Sequence, residues 1–137
     1  MCGLCGIVAL GRPPEAELAR AMADELRHRG PDGDGVWTSD AGVALGHRRL
    51  AIIDLSDAGL QPFASDDGRV QLLHNGEIYN YRELRRELES KGRRFRSQTD
   101  TEVVVAAYRE WGEDCVTRFN GMWAIALWDE AQQTLFC

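Results

Sequence analysis

Met1-Cys-Gly-Leu-Cys-Gly-Ile-Val-Ala-Leu10 opens the chain and decides how the rest is read. Residues 2–10 have the small and β-branched composition of a buried strand. They carry no basic n-region and no long apolar stretch, so they are not a secretion signal, and the cytoplasm is the expected compartment. Cys2 and Cys5 form a C-x-x-C, which suggests zinc or a redox pair. Zinc needs further ligands, yet His28, His47 and His74 show no ligand spacing. A redox pair belongs at a helix N-terminus, and this stretch reads as strand. Strand residues three apart lie roughly 10 Å from each other on opposite faces, so neither metal nor disulfide use is expected. Cys2 keeps two readings. It is either a small residue after the start methionine or, once Met1 is removed, one residue carrying both a thiol nucleophile and a free α-amine base.

Outward from this strand, Pro13-Pro14 opens an amphipathic helix with Leu18, Met22 and Leu26 as its apolar stripe, ended by Gly30-Pro31. Strands are expected near 34–38 and 42–50, then a turn-rich passage over 56–68, then a strand over 69–75 that runs into Asn75-Gly76. Asn80 reads as the cap of a second helix with Leu84 and Leu88 four apart and Gly92 past its end. Thr99-Asp-Thr-Glu102 has the form of a capping box that opens a third helix. A short helical piece carries Cys115, and the apolar run Met122–Trp128 pairs with Thr134–Cys137 as a hairpin. Strands and helices come in clusters, which favours an α+β layered fold over a doubly wound sheet.

The chain has 137 residues, enough for one domain, and is 44% hydrophobic, enough for a core. No run is apolar enough to cross a membrane. The net charge of −6 argues against a nucleic-acid surface. Arg82, Arg85 and Arg86, and again Arg93, Arg94 and Arg96, lie among glutamates or beside a helix end and read as solvated faces. Arginine outnumbers lysine heavily, Lys91 being the single lysine, which points to a GC-rich bacterial genome.

Several polar residues could carry chemistry. Asn75-Gly76-Glu77 reads as a tight hairpin turn or as an oxyanion hole, in which the Asn amide and the next backbone N–H converge on a developing charge. Arg49 reads as a surface ion pair or as a bidentate clamp on a carboxylate. Asp100, in a first helical turn, complements the dipole or binds an ammonium, and Glu77 could do the same.

Together these pieces resemble one family. Met1-Cys-Gly, His28-Arg-Gly-Pro-Asp32, Gly46-His-Arg-Arg-Leu50, Asn75-Gly-Glu-Ile-Tyr-Asn80, Thr99-Asp-Thr-Glu102 and Arg118-Phe-Asn-Gly-Met122 stand in the order and approximate spacing of the class II, N-terminal-cysteine glutamine amidotransferase domain of glutamine-hydrolysing asparagine synthetases. The resemblance implies an N-terminal-nucleophile hydrolase fold, a four-layer αββα sandwich of antiparallel sheets. Residues 2–137 would be its N-terminal part, cut before the later strands and lacking the ATP-dependent synthetase domain.

The resemblance also implies roles. Cys2 would be the nucleophile, and Asn75 with Gly76 the oxyanion hole. Arg49 would hold the glutamine α-carboxylate, Glu77 and Asp100 would receive the α-ammonium, and Leu50, Ala51, Ile52 and Ile53 would line the pocket. No cofactor or metal is expected in this segment; ATP and magnesium would serve the synthetase domain. The implied partners are L-glutamine and that domain, with a homodimer as a further assembly and no nucleic acid or membrane. Two other readings stand beside this one: the same half-reaction feeding another acceptor, and a non-catalytic module that keeps the fold.

Overall fold

A computed structural model describes residues 1–137. Two antiparallel sheets stack face to face with helices outside both. Sheet one has the order β1 (Gly3–Val8), β3 (Val43–Arg49), β2 (Gly33–Ser39). Sheet two has the order β4 (Phe63–Ala64), β5 (Val70–Ile78), β6 (Gly121–Asp129), β7 (Thr134–Phe136). Helix α1 (Ala16–Glu25) packs on the outer face of β3, while α2 (Tyr81–Ser90) and α3 (Asp100–Trp111) cover sheet two.

Strand alternation explains the layers. Val43 and Leu45 of β3 meet Leu73 and Trp128 of sheet two, forming the seam between the sheets. The opposite face of sheet two supplies Val70, Leu72, Ile125 and Leu127 to a larger core, completed by Leu84 and Leu88 of α2 and Val103, Val104 and Ala107 of α3. Leu88 is fully buried there, so its loss to alanine would cost about 2–5 kcal/mol.

Four local expectations change. Helix α1 buries Ala19 and Ala23, at 0% and 2% exposure, whereas Leu18 and Met22 are 48% and 36% exposed. The reason is close approach. A side chain at Gly46 on β3 would meet the Ala19 carbonyl at 3.0 Å and the Ala23 Cβ at 3.3 Å, so the helix docks through its small residues. Asn80 stands at the start of α2 without capping it; its Oδ1 accepts from Asn120 N–H at 2.9 Å and its Nδ2 donates to the Arg118 carbonyl at 2.9 Å. The turn-rich passage hides β4, which pairs with Gln71 and Leu72. Arg85 is not simply solvated, because its guanidinium lies 4.5 Å over the Phe95 ring and donates to the Ser97 carbonyl at 2.7 Å.

Asn75-Gly76 is not a turn. Both residues lie inside β5, opposite Ala124 and Trp123 of β6. A Cβ at Gly76 would run into the Met122 carbonyl and the Trp123 Cα, and its φ is +155°. The glycine is therefore required for β6 to pass so close.

Candidate active site

A cavity of about 530 Å³ opens where β1, β3, β5 and α3 converge. Nine of the ten residues singled out from the sequence line it: Cys2, Arg49, Leu50, Ile52, Ile53, Asn75, Gly76, Glu77 and Asp100. Ala51 does not. Its N–H donates to Asp32 Oδ2 at 3.0 Å, which holds this residue away from the cavity wall.

Cys2 lies just before β1. Its Sγ accepts from the Leu50 N–H at 3.4 Å, and its carbonyl accepts from Arg29 Nε at 3.1 Å. Gly30 lies flat on the Arg48–Arg49 backbone, where no side chain would fit. The His28–Asp32 segment is thus a bracket: Arg29 fixes the Cys2 backbone and Asp32 fixes the loop after β3. Cys5 points the other way, into the contact of α1 with β3, with Sγ 3.6 Å from the Ala19 and Gly46 carbonyls. Burial raises its pKa, and burial pushes the Cys115 thiol up to about 11. Both are poor nucleophiles at neutral pH.

Arg49 is 7% exposed and has no carboxylate partner. Its Nη1 donates to the Ser56 carbonyl at 2.7 Å and its Nη2 to the Asp54 carbonyl. Gly59 presses against the same guanidinium. Two donors thus shape the loop, and Arg49 also lines the cavity. Asp100, which lines the same cavity, is 5% exposed, with Oδ2 accepting from the Ile78 N–H at 2.9 Å. Thr99 Oγ1 caps α3 by accepting from the Glu102 N–H at 3.1 Å. The capping box is altered, however. Glu102 reaches back past Thr99 to the N–H groups of Ser97 and Arg96, at 2.7 and 2.9 Å.

Sequence reasoning passed over Gln61, His74 and Thr101, which also line the cavity. The Gln61 carboxamide accepts from the His74 N–H at 2.6 Å and donates to the His74 carbonyl at 3.2 Å, acting as one more strand residue beyond β4. His74 Nδ1 bonds Thr101 Oγ1 at 3.2 Å. This braces β5 at the residue before Asn75, whose own Oδ1 is buried without a protein partner. Burial lowers the His74 pKa, against the opposing charge of Asp100. His47, fully buried beside it, is held down to about 4 by burial, with the His74 backbone opposing and the charges of His74 and Arg49 assisting. The only hint in the sequence was the position of His74 next to Asn75.

A cationic fork, a buried and an exposed carboxylate and a thiol line one cavity within stacked antiparallel sheets. The stacked sheets are those of an N-terminal-nucleophile hydrolase fold. A solved structure of glutamine phosphoribosylpyrophosphate amidotransferase from Bacillus subtilis shares the fold, with a TM-score of 0.76 at 23% identity over 95% of this chain and 35% of that one. The family model for the glutamine amidotransferase domain matches residues 1–137, and the chain belongs to that family. Asparagine synthetase [glutamine-hydrolyzing] 3 of Bacillus subtilis is 41% identical over 99% of this chain and 22% of its own length. A putative asparagine synthetase of Methanocaldococcus jannaschii is 36% identical over the whole chain and 29% of its length. Amidase chry2 of Gibberella zeae is 42% identical over 87% of the chain and 18% of its length. The chain thus spans between 18% and 29% of the length of these relatives.

Proposed function

We propose that this chain is the glutaminase portion of an asparagine synthetase, releasing ammonia from L-glutamine for amidation of aspartate. The observation that carries the reading is the convergence of Cys2, Asn75, Gly76, Arg49, Glu77 and Asp100 on one cavity. With Met1 removed, the Cys2 α-amine takes the thiol proton and the thiolate attacks the side-chain amide carbon of glutamine. Asn75 and the Gly76 N–H hold the oxyanion. The intermediate collapses as the α-ammonium returns its proton to the leaving nitrogen, giving ammonia and a γ-glutamyl thioester. Water then attacks the thioester, releasing glutamate and regenerating the thiol. Arg49 binds the substrate α-carboxylate, and Asp100 with Glu77 the α-ammonium.

ATP and magnesium would serve a separate synthetase portion, and no side chain of this chain is assigned to them. The cytoplasm is the compartment that fits such an enzyme; no helix here is long and apolar enough to cross a membrane. A second reading keeps the half-reaction and changes the acceptor, favoured by the match to an amidase at 42% identity.

The test follows glutamate release together with the intact mass. The protein should lack Met1, and a glutamine-analogue diazo-ketone should label Cys2. Cys2→Ser should reduce glutamate release to background. Preferential labelling of Cys5, or turnover with Met1 retained, would overturn the reading.

A further inference from the structure

The loop after β3 and the segment before α3 both line the cavity and are far apart in sequence, and the Asp54 side chain hydrogen-bonds from one to the other. Asp54 ends the Leu50–Ile53 stretch. Its Oδ1 accepts from the Ser56 N–H at 2.9 Å and from Ser56 Oγ at 2.6 Å. Its Oδ2 crosses to the N–H of Gln98 at 3.1 Å. The Asp54 and Ser56 carbonyls are the two acceptors of the Arg49 guanidinium. Gln98 directly precedes Thr99, the cap of α3, and Asp100. A continuous path therefore runs from Arg49 through Asp54 and Gln98 to Asp100, and Asp54 itself borders the cavity.

We propose that Asp54 is a positioning residue that clips the Arg49 loop to the Asp100 segment and so fixes the distance between the two charges that bracket the amino-acid end of the substrate. The inference rests on the glutamine-binding reading above and adds a specificity determinant to it. A zwitterion has a fixed separation between its carboxylate and ammonium, so the groups that meet them must be held at a matching span. Arg49 is tied to the loop and Asp100 to β5 through Ile78; the loop carries only a short 3-10 turn at Asp57–Gly59, and the Asp54 carboxylate bonds it directly to the segment that leads into Asp100. The bonds from Ser56, followed by that from Gln98, hold the Asp54 carboxyl below the usual carboxylate range, so the acceptor stays ionised at neutral pH.

Asp54→Asn tests this in the intact protein. The variant keeps one oxygen for Ser56 and places an amide where Gln98 needs an acceptor. The KM for glutamine should rise roughly fivefold to thirtyfold, as expected for loss of a charge-assisted bond, with kcat within about twofold. Inactivation by iodoacetamide, which ignores the amino-acid end, should keep its wild-type rate. Ser56→Ala, which leaves the bond to Gln98, should raise KM less than Asp54→Asn does. An Asp54→Asn KM within twofold of wild type would overturn the clip, as would iodoacetamide inactivation and kcat falling together with affinity. Should Asp54→Asn not fold, Gln98→Pro removes the donor instead: the same KM rise supports the clip and an unchanged KM overturns it. A wild-type protein that hydrolyses no glutamine would count against the functional reading instead, which separates the two failures.

Discussion

Asp100 Oδ2 accepts a hydrogen bond from the Ile78 N–H at 2.9 Å, so the acid that faces the cavity is held by the strand that carries Asn75 and Gly76. Asp100→Asn keeps an acceptor for Ile78 and removes the charge. The fold should survive, and the KM for glutamine should rise by about 1.5–3 kcal/mol in binding free energy. Steady-state kinetics beside a thermal melt would check this; an unchanged KM would remove Asp100 from ammonium recognition.

Arg49 carries two duties, since the guanidinium that faces the cavity also holds the Asp54 and Ser56 carbonyls. Arg49→Ala should lower kcat/KM by roughly 2–4 kcal/mol. Arg49→Lys should recover little, because an ammonium cannot reproduce the planar fork. A lysine variant with near-normal kcat/KM would show that a point charge suffices.

Gly76→Ala should destabilise the protein by about 3 kcal/mol or more, because the new methyl meets the β6 backbone at Met122 and Trp123 and cannot be moved aside by a rotamer change. The urea midpoint reports it. Gly68→Ala is the matched comparison: φ is also positive at +71°, but nothing lies within 4 Å of the added carbon, so backbone strain alone should cost about 1–2 kcal/mol.

His47 gives a pH dependence whose sign follows from burial. Its folded pKa is about 4, below the ordinary value of 6.5, so the unfolded chain binds the extra proton between those values. Stability should therefore be fully present above pH 6.5 and fall as the pH drops toward 4, by up to about 3 kcal/mol. His74, lowered in the same direction by burial, should steepen the loss. Urea unfolding at pH 7 and pH 5 reads the change, and His47→Gln should flatten it.

The sequence by itself determined the resemblance to the glutamine amidotransferase domain and several local features. Cys2 is the one cysteine whose α-amine can become free, Thr99 caps α3 as its pattern required, and the strands expected near 42–50 and over 69–75 are β3 and β5. These features depend on neighbours within a few positions, which local periodicity reports. Only the tertiary structure decided the rest. The Leu50 N–H meets Cys2 Sγ across 48 positions, and no local pattern encodes that closure. The Ala19–Ala23 face of α1 is buried in place of its larger apolar residues because Gly46 lies opposite it. Asn75-Gly76 stays extended, against its strong turn preference, because β6 pairs along it and leaves no space for a side chain at Gly76. Gln61, His74 and Thr101 are polar residues of ordinary appearance in the sequence. They are buried at the site because each finds its hydrogen-bond partner on a different element, and without those partners burial would be costly.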